Sequence, residues 1–219
     1  MRWCDLSAPV AVTALFLCVT ATNLISLSSP PAAVAQPSSS SSSSSSQLFQ
    51  LLQQGLHQLN IGNSTEALQL FQQVLKLAQQ SNNRQAQMVA LLGMGRVYDA
   101  TEQPAQALDF YQQALSLTRM IPNRRFEGIT LNNIGLVYRA QGQSSQALQS
   151  FQQALSIAKE VGDRPEEGAI LGNIGAVYEQ QGQFAQAIRY YQQALPIFKE
   201  VANKDGAAAV AERIQKLGG

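Results

Sequence analysis

Charge is scarce in this chain. Charged residues make up 13% of its 219 positions, 15 basic against 14 acidic, for a formal net charge of +1; about a quarter is usual. A near-neutral protein has no field with which to gather nucleic acid or an anionic bilayer, so neither is expected as a main partner. Histidine and cysteine are scarcer still. His57 is the single histidine, and both cysteines, Cys4 and Cys18, fall in the first twenty residues. The body of the chain therefore offers neither a Cys/His metal site nor a disulfide framework, and no metal is expected. There is no glycine-rich loop between strand and helix and no nucleophile beside a base. Gly93-Met94-Gly95 is a glycine pair in a helical register, not a phosphate loop. No enzyme and no cofactor are expected.

The first 46 residues differ from the rest. Arg2 precedes an apolar run from Ala8 to Val19, and Ala33-Val34-Ala35 supplies a small-x-small cleavage pattern before Gln36. This is the order of a secretory signal over 1–35. The rival is an uncleaved anchor, because Val10 to Leu27 carries no charge and approaches the length of a bilayer span. Thr13, Thr20, Thr22, Asn23 and Ser26 make it a poor one, and Phe16-Leu17 before Cys18 argue against a lipoprotein signal. Either way the protein is expected outside the cytoplasm, periplasmic or extracellular if cleaved, membrane-anchored and facing outward if not. A mature chain cut after Ala35 has no cysteine and is indifferent to an oxidising compartment. Residues 36–46 contain the serine run Ser38 to Ser46. Such a run cannot bury apolar surface and is expected to be a flexible linker.

What the remaining chain has in abundance is repetition. "QQVLKL" at Gln72 returns as "QQALSL" at Gln112, "QQALSI" at Gln152 and "QQALPI" at Gln192, forty residues apart each time. Gly135, Tyr138, Gly142, Ala147 and Ala154 recur at the same offset as Gly175, Tyr178, Gly182, Ala187 and Ala194. A fixed period of this size marks a repeat architecture. Within a unit the apolar spacing is helical, as in Leu148, Phe151, Leu155 and Ala158. Gly142 and Gly182 mark the turn inside a unit, where glycine closes a helix in the left-handed conformation. "VGDRPEE" marks the turn between units, with Asp163 as a cap and Pro165 and Glu166 in the next first turn. Gly135 and Gly175 sit in helix interiors, where glycine costs about 1 kcal/mol against alanine. Close approach of the partner helix, at Ala147 and Ala187, is the expected compensation. Tyr138 and Tyr178 are expected to fill the wider space between helices.

The pattern resembles the tetratricopeptide repeat, W-x2-L-G-x2-Y followed by Ala, Phe and Ala on a second helix. Leu131, Ile134, Gly135, Tyr138, Ala147, Phe151 and Ala154 match it, with equivalents forty residues on either side and a degenerate first unit. The forty-residue period and the lack of a closing proline are similar to the long-repeat subgroup found in kinesin light chains and bacterial multi-repeat proteins. The resemblance implies an all-α fold, a right-handed α-solenoid of about four helical hairpins plus a C-terminal capping helix. The units are 47–83, 84–123, 124–163 and 164–203, with the cap at 204–219. No catalytic domain is expected after the cap, and a non-enzymatic role is expected.

In that family the first helix of each unit lines a concave groove that binds peptides, and an asparagine before the Leu-Gly pair meets the peptide main chain. Asn133 and Asn173 match that place, and Gly93 departs from it. Helical spacing sets Leu92, Arg96 and Asp99 on the groove face of one unit, Asn132, Leu136 and Arg139 on the next, and Ala169, Ala176 and Glu179 on the one after. Arg96 and Arg139 are candidate anchors for a carboxylate. The alternative for the asparagines is that they satisfy neighbouring backbone, and for the arginines that they are solvated surface charges. The expected partner is a protein or peptide bound in the groove. The competing reading is a self-associating or structural scaffold of an envelope assembly, touching membrane only if the leader is uncleaved.

Overall fold

The computed structural model of the chain describes residues 39–121 and 123–218. The expected leader at 1–35 lies outside them. Nine helices and no strand occur among the described residues: α1 Ser39–Asn60, α2 Ser64–Gln80, α3 Arg84–Ala100, α4 Pro104–Thr118, α5 Arg124–Ala140, α6 Ser144–Val161, α7 Arg164–Gln180, α8 Phe184–Glu200 and α9 Lys204–Gly218. The fold is the all-α solenoid that the period predicts. No described helix is long and apolar enough to cross a membrane.

The serine run departs from expectation. From Ser39 it is helical, extending α1 upstream of Gln47. Leu48 and Leu52 are buried and fix the helix to the array. Once a helix is nucleated, each further residue gains a hydrogen bond at little cost, and serine is only a middling helix former rather than a breaker.

The inner helices α3, α5, α7 and α9 are each preceded by a short polar residue that accepts a backbone N–H. Asn83 takes that of Ala86 at 3.0 Å, Asn123 that of Arg125 at 3.1 Å, Asp163 that of Glu166 at 3.4 Å and Asn203 that of Gly206 at 2.9 Å. The cap read at Asp163 is thus present, though the Glu166 side chain turns elsewhere. The outer helices α2, α4, α6 and α8 follow Asn63 or a glutamine and have no side-chain cap bond.

The interior glycines are pinned by rings rather than by the alanines expected. A Cβ on Gly95, Gly135 or Gly175 would lie 2.5, 2.6 or 2.7 Å from the ring of Tyr111, Phe151 or Tyr191. The outer helix inserts an aromatic into the space a side chain would need, which outweighs the helix-propensity cost of glycine. Tyr98 and Tyr178 stack on Phe110 and Tyr190 at 5.2 and 5.4 Å between ring centres. The buried core falls into three clusters along the array, joined through half-buried Leu115, Tyr138, Leu155, Tyr178 and Tyr190.

α1 packs directly on α3 and α5 on α7, while no pair of outer helices makes a comparable contact. The side of the inner helices turned away from the outer ones is the inner face.

Candidate functional site: the inner face of the solenoid

Leu92, expected on the inner face, is instead buried in the core, where an apolar side chain of its register is taken up between neighbouring helices. Arg96 is half-buried and Asp99 exposed on α3; Leu136 and Arg139 on α5, and Ala169, Ala176 and Glu179 on α7, are half-buried. The register is set by the caps and the forty-residue spacing, which bring Asp99, Arg139 and Glu179 to equivalent places in successive units. Their signs alternate, and each sign matches the ring behind it. Tyr111 and Tyr191 have acidic partners. The Tyr191 hydroxyl donates to Glu179 Oε2 at 2.7 Å, and the Asp99 charge, with burial ahead of it, raises the Tyr111 phenol well above its usual range. Phe151 has no hydroxyl, and its unit carries Arg139 in that place.

Arg96 lies close to Tyr111 and Asp99. Burial lowers its pKa and the two neighbours act in the opposite sense. Glu179 also accepts from Arg213 Nη1 of α9 at 2.7 Å, which ties the cap to the last full unit. Arg213 stands forty residues after Asn173, in the register of Asn133.

The asparagines behave differently from one another. Asn133 is half-buried on α5. Asn132 and Asn173 are buried, 5% and 1% exposed, in the seam between α5 and α7. Asn173 Nδ2 donates to Asn132 Oδ1 at 3.1 Å, and Asn132 Nδ2 donates to Glu166 Oε1 at 2.9 Å. Arg139 Nη1 donates to Asn173 Oδ1 at 3.4 Å. These amides, expected on the open groove, thus sit beneath it, bonded to side chains; Arg139 is the member of the chain that reaches the inner face.

Glu166 is the residue that sequence reasoning missed. It is 7% exposed, and burial, followed by the Asp163 charge, pushes its carboxyl up to about 7 against the pull of Asn132 and Arg125. The signal was available: its register holds Ala86 and Phe126 in the two preceding units, so a carboxyl there breaks an apolar file. Beside it Arg125 pairs with Asp163 at 2.5 Å. On the rim, Arg124 bonds Glu127 and Glu160, and Arg164 repeats this with Glu167 and Glu200. No group of residues suited to hold a metal ion occurs among the described residues.

The model of the tetratricopeptide repeat matches residues 47–120 and 126–200. The chain belongs to the tetratricopeptide repeat family. Solved structures agree on the fold. A signal transduction ATPase with a tetratricopeptide repeat sensor from Pyrococcus horikoshii is 19% identical, with a TM-score of 0.67 over 77% of this chain and 27% of that one. Aspartyl phosphate phosphatase F from Bacillus subtilis is 18% identical, with a TM-score of 0.71 over 82% and 47%. PilF from Pseudomonas aeruginosa is 21% identical, with a TM-score of 0.58 over 81% and 79%. The chain thus spans about a quarter of the first and about half of the second. No curated protein sequence matches it significantly. Tetratricopeptide repeats suggest protein–protein interaction, and that is the level at which the family speaks to function.

Proposed function

We propose that the chain is a non-enzymatic interaction module that holds a peptide segment of a partner protein against its inner face. The observation behind this reading is the row Asp99, Arg139 and Glu179, set beside Arg96, Leu136 and Ala176 on successive inner helices. Alternating charge next to small and apolar side chains suits an extended segment, which offers both main-chain dipoles and side chains at regular intervals. The near-neutral balance of the row disfavours a strongly charged ligand. Four hairpins offer a modest interface, consistent with affinity around micromolar. The leader pattern adds that the module works outside the cytoplasm, with an envelope or secreted protein as partner.

The test compares two variants of the full chain as bait in envelope extract. Leu136→Glu alters the inner face, and Gln152→Lys alters an exposed site on the outer helix α6. Both are first checked for unchanged helicity. A partner kept by Gln152→Lys and lost by Leu136→Glu supports the groove. Equal retention by both moves binding to another surface, and self-capture that depends on concentration replaces the groove with a scaffold.

A further inference from the structure

Five arginines of the inner helices are half-buried, and four of them are paired. Arg125 bonds Asp163, Arg139 bonds Asn173, Arg164 bonds Glu167 and Glu200, and Arg213 bonds Glu179. Arg96 of α3 makes no hydrogen bond or ion pair among the described residues. Asp99, one turn on, attracts it without forming an ion pair. Tyr111 is no counter-ion, because its phenol is held neutral well above its usual range. A charge drawn out of water with no partner opposes the fold, and the lowered pKa of Arg96 expresses that cost.

Arg96 also breaks its register. The equivalent places in the other full units are Leu56 on α1, Leu136 on α5 and Ala176 on α7, all half-buried. The fold thus accepts an apolar side chain there and does not require a cation.

We propose that Arg96 is the anion anchor of the inner face, taking one carboxylate of the bound segment, with Leu56 and Leu136 on the neighbouring inner helices to meet apolar residues on either side of it. The proposal rests on the groove reading and names the chemistry of its ligand. A guanidinium donates two parallel N–H bonds to a carboxylate, so binding brings the counter-ion that the free chain lacks. A doubly charged phosphate is disfavoured, because Asp99 lies one turn away. Arg139, the other candidate by sequence, already donates to Asn173.

Two measurements on the full chain test the anchor. Thermal unfolding compares the native chain with Arg96→Leu, which installs the residue of the flanking units. The variant is expected to unfold at a higher temperature. A lower midpoint means that Arg96 contributes to the fold, and overturns the anchor. The second measurement follows the 15Nε signal of Arg96 by NMR as peptides are added. N-acetyl-Ala-Leu-Glu-Leu-Ala-amide carries a side-chain carboxylate. The same peptide with Gln for Glu and a free C-terminus carries only a terminal one, and the Gln peptide with its amide carries none. A saturable shift with either of the first two supports the anchor and identifies the source of the carboxylate. That peptide should bind Arg96→Leu at least about tenfold more weakly, followed by the backbone amides of α3. No shift with either, an equal shift with the uncharged peptide, or equal affinity for both chains overturns the anchor. Each of these outcomes leaves the Leu136→Glu test of the groove standing, so the two ideas fail separately.

Discussion

Between α3 and α5, the places equivalent to Asn132 and Glu166 are held by Leu92 and Phe126, both buried in the core. Between α5 and α7 the same two places are an amide and a carboxyl, buried to the same degree and bonded to each other at 2.9 Å. The helices around them begin at the same register, from Arg84 to Arg124 to Arg164. One backbone thus accepts a greasy seam and a polar one. The repeat is specified elsewhere, by the glycine–ring contacts, the buried alanines and the caps. Apolar burial stabilises by about 25 cal/mol per Å², whereas a buried amide or carboxyl costs free energy unless its partners are in place. The second seam exchanges some of that stability for directed bonds.

The largest expected effect comes from exchanging the seams. Asn132→Leu alone removes the donor to a buried carboxyl and should cost about 3 kcal/mol at neutral pH. Glu166→Phe alone strands the Asn132 amide and should cost about 1–3 kcal/mol. The double variant rebuilds the pair found between α3 and α5 but leaves the buried Asn173 Nδ2 without the Asn132 oxygen, and is expected about 1–3 kcal/mol below the native chain, less than the two single losses added together. Urea unfolding of the four proteins measures the cycle. A coupling of about 2 kcal/mol or more is expected; losses that simply add would show that the two seams are not interchangeable.

Next in size is the response to pH, which the apolar seam lacks. Glu166 is an acid whose folded value is raised, from 4.5 to about 7. Between those values the folded chain holds a proton that the unfolded chain has lost. Its contribution is therefore greatest at low pH, declines as pH rises through about 4.5 to 7, and is flat above. The fall should approach roughly 3 kcal/mol. Denaturation midpoints of native chain and Glu166→Gln, compared over this range, isolate the term. A difference between the two that grows as pH falls would reverse the assignment.

The solenoid could be read from the sequence because its determinants are local and repeated. Gly142 and Gly182 end helices at φ of 72° and 71°, and Asp163 caps the next one, as their positions announce. Helical spacing alone also sets Arg96, Asp99, Leu136, Arg139 and Glu179 on one side of their helices, and none of them is buried. The partners across the seam were not legible. That Gly135 faces Phe151 rather than Ala147, and that Asn132 turns toward Glu166, depends on how far one helix is rotated against another. Rotation of a few tens of degrees leaves the period unchanged and decides which side chains meet. The helical serines were missed for a different reason: composition says that Ser39–Ser46 lacks apolar anchors, but not that a neighbouring helix will extend through it.

The smallest effect distinguishes the second and third units at their turns. Glu102 and Gly142 are equivalent, and both are left-handed, at φ of 58° and 72°. An L side chain held there costs about 1–2 kcal/mol, of which a glycine's looser unfolded state returns part. Glu102 is exposed, and a Cβ at Gly142 meets nothing within 4 Å, so backbone conformation rather than packing decides both exchanges. Glu102→Gly should therefore raise stability by up to about 1 kcal/mol, and Gly142→Glu should lower it by a similar amount. Thermal unfolding of the two variants reads the pair directly. Opposite shifts of similar size place the difference between these units in the turn backbone. A loss from Glu102→Gly would instead mean that the Glu102 side chain contributes more to its unit than the strain it imposes.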